Sequence, residues 1–130
     1  MILGFTGTRE GMSDRQKALF IDRLSSLCPG EFHHGDDDGA DREAHELVRL
    51  CVPRCIIVLH PPNNPFRRAF CKADREMQPK PYLARNKAIV FCCDELIAAP
   101  LTPTEELRSG TWATIRYARK AGKQVHLLIP

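Results

Sequence analysis

Short apolar runs alternate with amphipathic stretches along the whole chain of 130 residues. The segments that predict strands cover residues 2–6, 31–34, 55–59, 96–99 and 125–129, and all except 31–34 are mainly apolar. The stretches that predict helices begin near residues 13, 41, 82 and 110. Strands that alternate with helices in this way are typical of βαβ units and a parallel sheet. We therefore predict an α/β fold: a single Rossmannoid domain over residues 1–130, with a parallel sheet of about five strands and helices on both faces.

Local signals support several of these elements. Ser13 followed by Gln16 predicts a capping box at the start of the first helix. In the second helix, one apolar face is predicted from residues at helical spacing, namely Ala40, Ala44, Leu47, Val48 and Cys51. The run at 55–59 is apolar throughout, as expected for a strand that is covered on both faces.

Residues 61–81 differ in character from the rest of the chain. This segment contains five prolines and little periodicity, and residues 61–87 carry seven Lys or Arg against two acidic residues. We predict a long basic, proline-rich loop, which is either functional or a solvated connection.

Composition and charge exclude several classes. The net charge of +3 is mild and does not indicate binding to duplex DNA. Nucleic acid is therefore not an expected partner. No leader pattern and no membrane-length apolar run is found, so a cytoplasmic protein without membrane association is expected. The six cysteines contain no C-x-x-C pair, and most are expected to be reduced and packed as small apolar residues. Cys71, in the polar loop, is the one predicted to be exposed.

Two loops carry residues suited to phosphate binding. In open parallel sheets, ligands bind outside the carboxyl ends of the strands. The first predicted strand ends in Thr6-Gly7-Thr8-Arg9, and the last helix begins at Ser109-Gly110-Thr111. Glycine allows close approach of the backbone, free N–H groups and the helix dipole attract an anion, and Arg9 would add a charge. The alternative is that Ser109 or Thr111 merely caps the helix and that Gly7 merely serves the turn.

The loop after the second strand is acidic and runs from Gly35 to Asp41. Carboxylates repel a phosphate unless they face ribose hydroxyls or a hydrated Mg²⁺, so Mg²⁺ is the one metal ion kept open and no other cofactor is predicted. Carboxylates also stabilise a helix N-terminus without any ligand. We expect Asp36 or Asp41 to contact a ligand hydroxyl.

Further candidates are His60, Arg85 and Asn86. His60 ends a strand and is expected to face the ligand, whereas no spacing of the histidines resembles a metal site. Arg85 and Asn86 lie in the first turns of a helix, where an arginine is mildly disfavoured by the helix dipole. That position favours a function for Arg85, although a solvated arginine is the alternative.

A resemblance to a known family sharpens these expectations. The segments that carry it occur in order and span nearly the whole chain: GFTGTREG, HHGDDDGADREAH, LHPP, PYLARNKAIV, ELIAAP and RSGTWATIRYARKAGK. Together they resemble the SLOG superfamily, and within it the small stand-alone YspA-like branch. The resemblance implies a Rossmann-like fold that binds nucleotides or their derivatives, in relatives such as the Lonely Guy phosphoribohydrolases and the DNA-processing protein A. It also implies a homodimer as the oligomeric state, a phosphate motif at 109–111 and an arginine corresponding to Arg85.

The sequence departs from the Lonely Guy pattern P-G-G-x-G-T-x-x-E. The double glycine is absent from the residues before Gly110, where Arg108 and Ser109 stand, and Thr114 stands at the position of the glutamate. A neutral threonine cannot act as a carboxylate base, so glycosidase activity would need another carboxylate, with Asp36, Asp41 and Glu43 as candidates.

Three functions follow in order of preference. The first is binding of a phosphate-bearing, ADP-ribose-like ligand by a sensor, carrier or sequestering module. The second is an N-glycosidase or phosphoribohydrolase, and the third is binding of single-stranded nucleic acid through the basic loop, where Phe66, Phe70 and Tyr82 would stack on bases. Whether the protein is an enzyme stays open at this point: the residues favour a binding module, and an enzyme would be a nucleoside monophosphate phosphoribohydrolase or a related N-glycosidase.

Overall fold

The computed structural model describes all 130 residues and consists of one six-stranded sheet with four α-helices. The strands are β1 (Ile2–Gly7), β2 (Glu31–His34), β3 (Ile56–Leu59), β4 (Arg75–Glu76), β5 (Glu95–Ala99) and β6 (Gln124–Leu127). The helices are α1 (Asp14–Leu27), α2 (Ala40–Cys51), α3 (Tyr82–Cys92) and α4 (Gly110–Lys120), and a short 3₁₀ turn covers Pro65–Arg67. The predicted α/β fold is confirmed.

The strand order defines where a ligand site can form. The sheet runs β4-β3-β2-β1-β5-β6, and every pair of neighbours is parallel. The chain first moves outward from β1 to β4 and then returns to the other side of β1 with β5. The order therefore reverses between β1 and β5, and the crevice at such a point is the usual ligand site of this architecture.

The two faces of the sheet are covered by different helices because strand side chains alternate. Leu3 and Phe5 of β1 belong to a buried cluster with residues of α1 and α2, where Phe5 meets the ring of Phe20 at 5.4 Å between centroids. Gly4 faces the opposite side, where a Cβ atom would meet Cys93 and Ile89 at the end of α3. A methyl-sized group is excluded there, so glycine lets α3 lie close to β1.

The predicted capping box of the first helix is confirmed. The Gln16 backbone N–H donates to Ser13 Oγ at 3.1 Å, and the Ser13 N–H donates to Gln16 Oε1 at 2.9 Å. The Gln16 amide also donates to the carbonyls of Pro100 and Leu128, at 2.7 and 2.9 Å. This one side chain therefore links the start of α1 to the segments that follow β5 and β6.

The structure corrects the strand count and one helix face. The sheet has six strands, because Arg75–Glu76 of the proline-rich segment pairs with Val58 and Leu59 of β3. In α2, Ala40, Ala44 and Val48 are buried, but Cys51 at the end of the predicted apolar face is exposed. A two-residue charged strand gives no apolar pattern, and helical spacing does not show where a face reaches solvent.

The segment at 61–81 is attached to the sheet rather than free. Asp36, which is fully buried, accepts hydrogen bonds from Arg68 Nε at 2.9 Å and from the Cys71 N–H at 3.0 Å. The Ala69 N–H donates to the Asp36 carbonyl at 2.8 Å. One buried carboxylate thus fixes the middle of the segment.

The expectation for the cysteines was partly wrong. Cys71 is only partly exposed and packs against the main core, and burial followed by the neighbouring Asp36 carboxylate raises its pKa to about 12. The exposed thiols are those of Cys28 and Cys51 instead. All six cysteines are unpaired, so the domain is held together without a disulfide.

None of the helices combines the length and the apolar character that crossing a bilayer requires.

Candidate functional site

A cavity of about 820 Å³ opens at the crevice between the carboxyl ends of β1 and β5. It is lined mainly by the turn after β1 and by the segment that joins β5 to α4, together with Tyr82 and Arg67. The members of the lining that matter below are Gly7, Thr8, Arg9, Asp37, Arg67, Tyr82, Glu106, Arg108, Ser109, Gly110 and Thr111. The volume lies within the range of roughly 300–1,000 Å³ typical of small-molecule sites.

The turn after β1 is fixed on both sides. The Thr8 N–H donates to the Ala99 carbonyl at the end of β5, and the Thr8 carbonyl accepts from the Ala40 N–H at the start of α2, both at 3.0 Å. Gly39 has a φ of +86°, and a Cβ atom on it would collide with the Arg9 carbonyl. The Arg9 N–H donates to no other group of the chain. The turn is therefore held in one conformation, and the Arg9 N–H is left unpaired.

The start of α4 provides the second set of backbone donors. The Ser109 hydroxyl accepts from the Trp112 N–H at 3.2 Å, so Ser109 is an N-cap as the alternative interpretation stated. The N–H groups of Gly110 and Thr111 donate to no acceptor within the chain. The first turn of a helix normally leaves such groups for water or a ligand, and the helix dipole makes them attractive to anions.

Tyr82 joins the two loops. Its ring lies between two guanidinium groups, with Arg9 at 5.1 Å and Arg85 at 5.2 Å from the ring centroid. Its hydroxyl packs so closely on Gly110 that a Cβ atom there would overlap it. Tyr82 therefore forms a wall of the cavity, and Gly110 is required for its position.

Arg85 is buried behind this wall and is the centre of a hydrogen-bond network. Only 2% of the residue is exposed, and its guanidinium donates to Asp37 Oδ2 at 2.9 Å, to the Gly35 carbonyl at 2.5 Å and to the His60 carbonyl at 3.2 Å. Its Nε donates to the Asn86 amide oxygen at 2.8 Å. The network joins the ends of β2 and β3 to α3, and it places the side chain of Arg85 behind the lining rather than in it.

Asp37 is the one aspartate in the cavity lining. Its Oδ2 accepts from Arg85, whereas its Oδ1 is buried and has no hydrogen-bond partner. Burial raises its pKa, against the opposing effect of the Arg85 charge. Leaving this oxygen unpaired is costly, so a ligand hydroxyl that reached it would be favoured, but Oδ1 has no exposed surface until the side chain turns toward the cavity.

Asp41 lies next to Asp37 but not in the lining. Its Oδ2 accepts from the Asp37 N–H at 3.1 Å. Burial, and then the negative charge of Asp37, raise its pKa to about 7. Because the two carboxyl groups interact, their titrations are coupled, and one of them holds its proton to a higher pH than an isolated carboxyl group would.

This pKa leads to a prediction for the Asp41→Asn variant. Between about pH 4 and about pH 7 the unfolded chain has lost the Asp41 proton while the folded protein keeps it, so wild-type stability falls as pH rises. The asparagine does not titrate, so its stability relative to wild type should rise through that window, by at most about 1.4 kcal/mol per pH unit, and then level off. The histidine contributions are largely common to both proteins and cancel in the difference. Urea unfolding at a series of pH values measures this, and a difference that is constant with pH would contradict it.

The other candidate residues have local partners instead of facing the cavity. Asp36 holds the 61–81 segment, and Glu43 accepts from the Met12 N–H at 2.6 Å and pairs with Lys17 at 3.3 Å. His60 is buried, and burial followed by the neighbouring His33 lowers its pKa to about 4. Thr6 is buried in β1, one residue before the lining begins.

Both loops that the sequence analysis selected line this cavity, but several other lining residues were not among its candidates. Asp37, Tyr82, Arg67 and Arg108 were not among its ligand candidates. The run of three aspartates was a signal, but which member faces the cavity depends on the left-handed backbone of Asp36, with φ of 56°. Tyr82 carried a signal too, since it is an aromatic residue in the first turn of the helix that holds Arg85.

Comparisons with known proteins extend the fold assignment. No protein-family model matches the sequence, and no curated protein matches it significantly. The structure is similar to the molybdenum cofactor binding protein from the phototrophic bacterium Rippkaea orientalis, at 21% identity over 97% of this chain and 74% of that chain, with a TM-score of 0.71. It is also similar to the X-ray structure of the protein TM1055, at 16% identity over 95% of this chain and 71% of that chain, with a TM-score of 0.59. At these identities the similarity establishes the class of fold, which is Rossmann-like.

Proposed function

We propose that this protein binds a phosphate-bearing nucleotide or nucleotide-derived ligand, of the size of ADP-ribose, and acts as a sensor, carrier or sequestering module. The single observation that carries the proposal is the convergence of two sets of unpaired backbone donors on one cavity. The N–H groups of Arg9, Gly110 and Thr111 are available there, and Arg9 and Arg108 add positive charge. Phosphate groups are bound by this combination in other Rossmann-like proteins.

The charges of the lining argue for a ligand with more than a phosphate. Three arginines, Arg9, Arg67 and Arg108, face the cavity together with three acidic residues. Inorganic phosphate would gain from the arginines but meet repulsion from Asp37 and the two glutamates. A nucleotide offers the arginines its phosphates and offers the carboxylates its ribose hydroxyls, so it satisfies both halves of the lining.

The structural neighbours are compatible with this proposal. One of them is described as a molybdenum cofactor binding protein, so a small-molecule cofactor is bound by a protein with this fold. We extend to this chain only the general role, which is the binding of a small molecule. The SLOG superfamily remains our proposed assignment.

A ligand panel tests the proposal. Thermal unfolding is followed with AMP, ADP, ADP-ribose, cyclic ADP-ribose, NAD and a short single-stranded DNA, with inorganic phosphate and ribose as controls, and the ligands are recovered for chromatography. A ligand at a hundred times its dissociation constant stabilises the folded protein by about 2.7 kcal/mol. We expect stabilisation by at least one nucleotide, recovered intact, and little by phosphate or ribose. Equal stabilisation by phosphate alone would contradict the proposal.

The Gly110→Ala variant tests the place of binding. The added Cβ displaces the Tyr82 hydroxyl and reduces the space above the N–H groups of Gly110 and Thr111. We expect nucleotide affinity to fall by roughly tenfold or more, which corresponds to about 1.4 kcal/mol or more. Alanine has the higher helix propensity, so a loss of affinity without a loss of melting temperature is the expected pattern.

Gly30→Ala is the matched control, because a Cβ atom on Gly30 meets nothing within 4 Å. Calorimetric titration of wild type and both variants with the best nucleotide of the panel gives the comparison. Equal affinities in all three proteins would place the ligand elsewhere.

Cleavage of an N-glycosidic bond is the second candidate function, and one observation favours it. The carboxylate of Asp37 lies in the cavity wall with a raised pKa, next to Asp41 with a pKa of about 7. A general acid needs a pKa in this region. Release of free base from a nucleoside monophosphate by wild type, but not by Asp37→Asn, would support the enzyme, and intact recovery of every nucleotide would favour the binding module.

Single-stranded nucleic acid remains the third candidate. Phe66 is 93% exposed in the basic segment, and the Arg68 guanidinium covers the Phe70 ring at 4.5 Å. Sites for single strands combine such rings with positive charge, and their affinity falls steeply with salt. The oligonucleotide in the panel, measured at low and high salt, decides this alternative.

The oligomeric state is a separate question. Light scattering on the protein as it elutes from a size-exclusion column decides whether the chain is a homodimer.

A further inference from the structure

A second group of side chains lies inside the domain and outside the cavity lining. His33 of β2, His60 after β3 and Cys92 at the end of α3 each offer one ligand atom, and the three atoms lie within 4.8 Å of one another. Both histidines are buried, and Cys92 is partly exposed. Three separate elements of the fold therefore bring two imidazoles and one thiol to one point.

The hydrogen bonds of His33 leave one ring nitrogen as an acceptor. Its Nε2 lies 2.7 Å from Glu31 Oε1, and a carboxylate can only accept, so Nε2 carries the proton. In the neutral ring, Nδ1 then has a free lone pair, and it points at His60 Nε2, 2.7 Å away. A carboxylate bound to one nitrogen of an imidazole, with the other nitrogen aimed at a metal ion, is the usual arrangement around protein-bound zinc.

His60 is free to present a lone pair as well. In the metal-free protein His60 Nε2 donates to the His33 Nδ1 lone pair, but His60 Nδ1 has no hydrogen-bond partner in the chain, so the proton is free to move from Nε2 to Nδ1. With the proton on Nδ1, the Nε2 lone pair of His60 faces the Nδ1 lone pair of His33. Two nitrogens at about 2.0–2.1 Å from a tetrahedral zinc ion stand roughly 3.3 Å apart, so the rings would need to separate by only about 0.6 Å.

A second cluster of the same composition shows that proximity alone is not sufficient. His34, His45 and Cys71 also bring three ligand atoms within 4.8 Å. There, His34 Nδ1 accepts from the Asp36 N–H at 3.0 Å, so its Nε2 carries the proton and donates to His45 Nδ1 at 2.9 Å. Both nitrogens of His34 are therefore occupied. A metal ion at His34 Nε2 would need the proton moved to Nδ1, which already accepts from the Asp36 N–H, whereas His60 has a free Nδ1 for this proton.

We propose that the protein binds a zinc-like divalent cation through His33 Nδ1, His60 Nε2 and the Cys92 thiolate. Glu31 is the positioning residue, which orients the His33 ring through its Nε2. Binding releases the thiol proton to solvent and moves the His60 proton from Nε2 to Nδ1. The C-terminal end of α3, where Cys92 lies, carries the negative end of the helix dipole and favours a cation. One coordination position stays open for water or a small ligand, since only three protein atoms are available.

The proposal is independent of nucleotide binding. None of the three ligands lines the cavity between β1 and β5. A zinc ion at this position would link β2, the end of β3 and α3, outside the cavity lining. Failure of the metal experiment would therefore leave the proposed function intact, and the reverse also holds.

The experiment uses Co²⁺ as a spectroscopic probe in place of Zn²⁺, with the intact protein kept reduced by a phosphine. Addition of Co²⁺ is expected to produce a thiolate-to-cobalt charge-transfer band and the visible bands of a tetrahedral site, saturating at one equivalent. Addition of Zn²⁺ should then remove both. The Cys92→Ser variant should lose the charge-transfer band, and His33→Gln should bind at least about tenfold more weakly. Glu31→Gln should weaken binding by about 10–100-fold, as expected for a partner that orients a ligand.

The chain supplies matched controls for each variant. His126→Gln alters a histidine that pairs with Glu95 at the same 2.7 Å, but His126 belongs to neither cluster of metal-ligating residues. Cys28→Ser alters an exposed thiol, and Cys71→Ser alters the second cluster. All three should bind Co²⁺ as wild type does, and melting curves of the metal-free proteins verify folding. Absence of the charge-transfer band in wild type, its survival in Cys92→Ser, or its loss in Cys71→Ser would overturn the proposal.

Discussion

Replacement of Arg85 with methionine is expected to lower the free energy of unfolding by about 3–5 kcal/mol, a large share of the roughly 5–15 kcal/mol available to a domain. Methionine preserves much of the length and apolar character of the side chain but removes every donor. The carbonyls of Gly35 and His60 then lose their partner, and the buried Asp37 carboxylate keeps only the partly exposed Arg9, at 4.0 Å, as a cationic neighbour. An unpaired buried charge costs more than the pair contributed.

The pH dependence of this loss distinguishes the proposed cause from a simple packing defect. Burial already raises the pKa of Asp37, and removal of the Arg85 charge raises it further. Protonation relieves the unpaired carboxylate, so the destabilisation should be smaller in mildly acidic solution than in alkaline solution. Urea unfolding at both pH values measures the difference.

Two further variants complete the Arg85 test. Arg116→Met removes a partly exposed pair with Glu105 and should cost less than about 1 kcal/mol, as surface pairs do. Asp37→Asn in the Arg85→Met background should recover part of the loss, because no buried charge is then unpaired. An Arg85→Met protein within about 1 kcal/mol of wild type at every pH would contradict the network described here.

The second large effect is expected at Gly39. Its φ of +86° is unfavourable for a residue with a side chain, and a Cβ atom would meet the backbone of Arg9. Because the obstacle is backbone and not the end of a flexible side chain, the turn after β1 has to move. We expect Gly39→Ala to destabilise the protein by about 3 kcal/mol or more and to weaken nucleotide binding, since the same turn carries the Arg9 N–H.

Gly122→Ala separates backbone strain from collision. Gly122 has a similar φ of +76°, but a Cβ atom there meets nothing within 4 Å. It should cost only about 1 kcal/mol and leave nucleotide binding unchanged. Equal losses for the two alanine variants in chemical unfolding would show that the contact with Arg9 has no energetic effect.

The sequence alone predicted those structural features whose determining residues lie close together in the chain. Ser13 and Gln16 predicted the capping box because both members lie within one helical turn. Strands β3 and β5 were predicted because strands that are covered on both faces are mainly apolar. The two glycine-containing loops were placed at one edge of the sheet because parallel strands end on the same side.

The rest depended on contacts between residues distant in the sequence. An arginine is usually solvated, and nothing in its neighbours shows that Arg85 is buried against Gly35 and Asp37, 50 and 48 positions away. The edge strand β4 forms only because β3 offers a free edge, and its two charged residues carry no apolar pattern. The choice among the aspartates likewise rests on one left-handed residue, Asp36, which turns its own side chain toward Arg68 and leaves Asp37 at the cavity.

The most direct test of the account is a ¹⁵N–¹H correlation spectrum of the labelled protein, titrated with AMP and with ADP-ribose. If the cavity binds the phosphate of a nucleotide, the amide signals of Arg9, Gly110 and Thr111 should shift most, because their N–H groups are unpaired in the free protein. The signals of Gly30 and Gly122, where the backbone is remote from the cavity lining, should stay in place. Unchanged spectra with both nucleotides, or shifts confined to residues 61–81, would contradict a nucleotide site between β1 and β5.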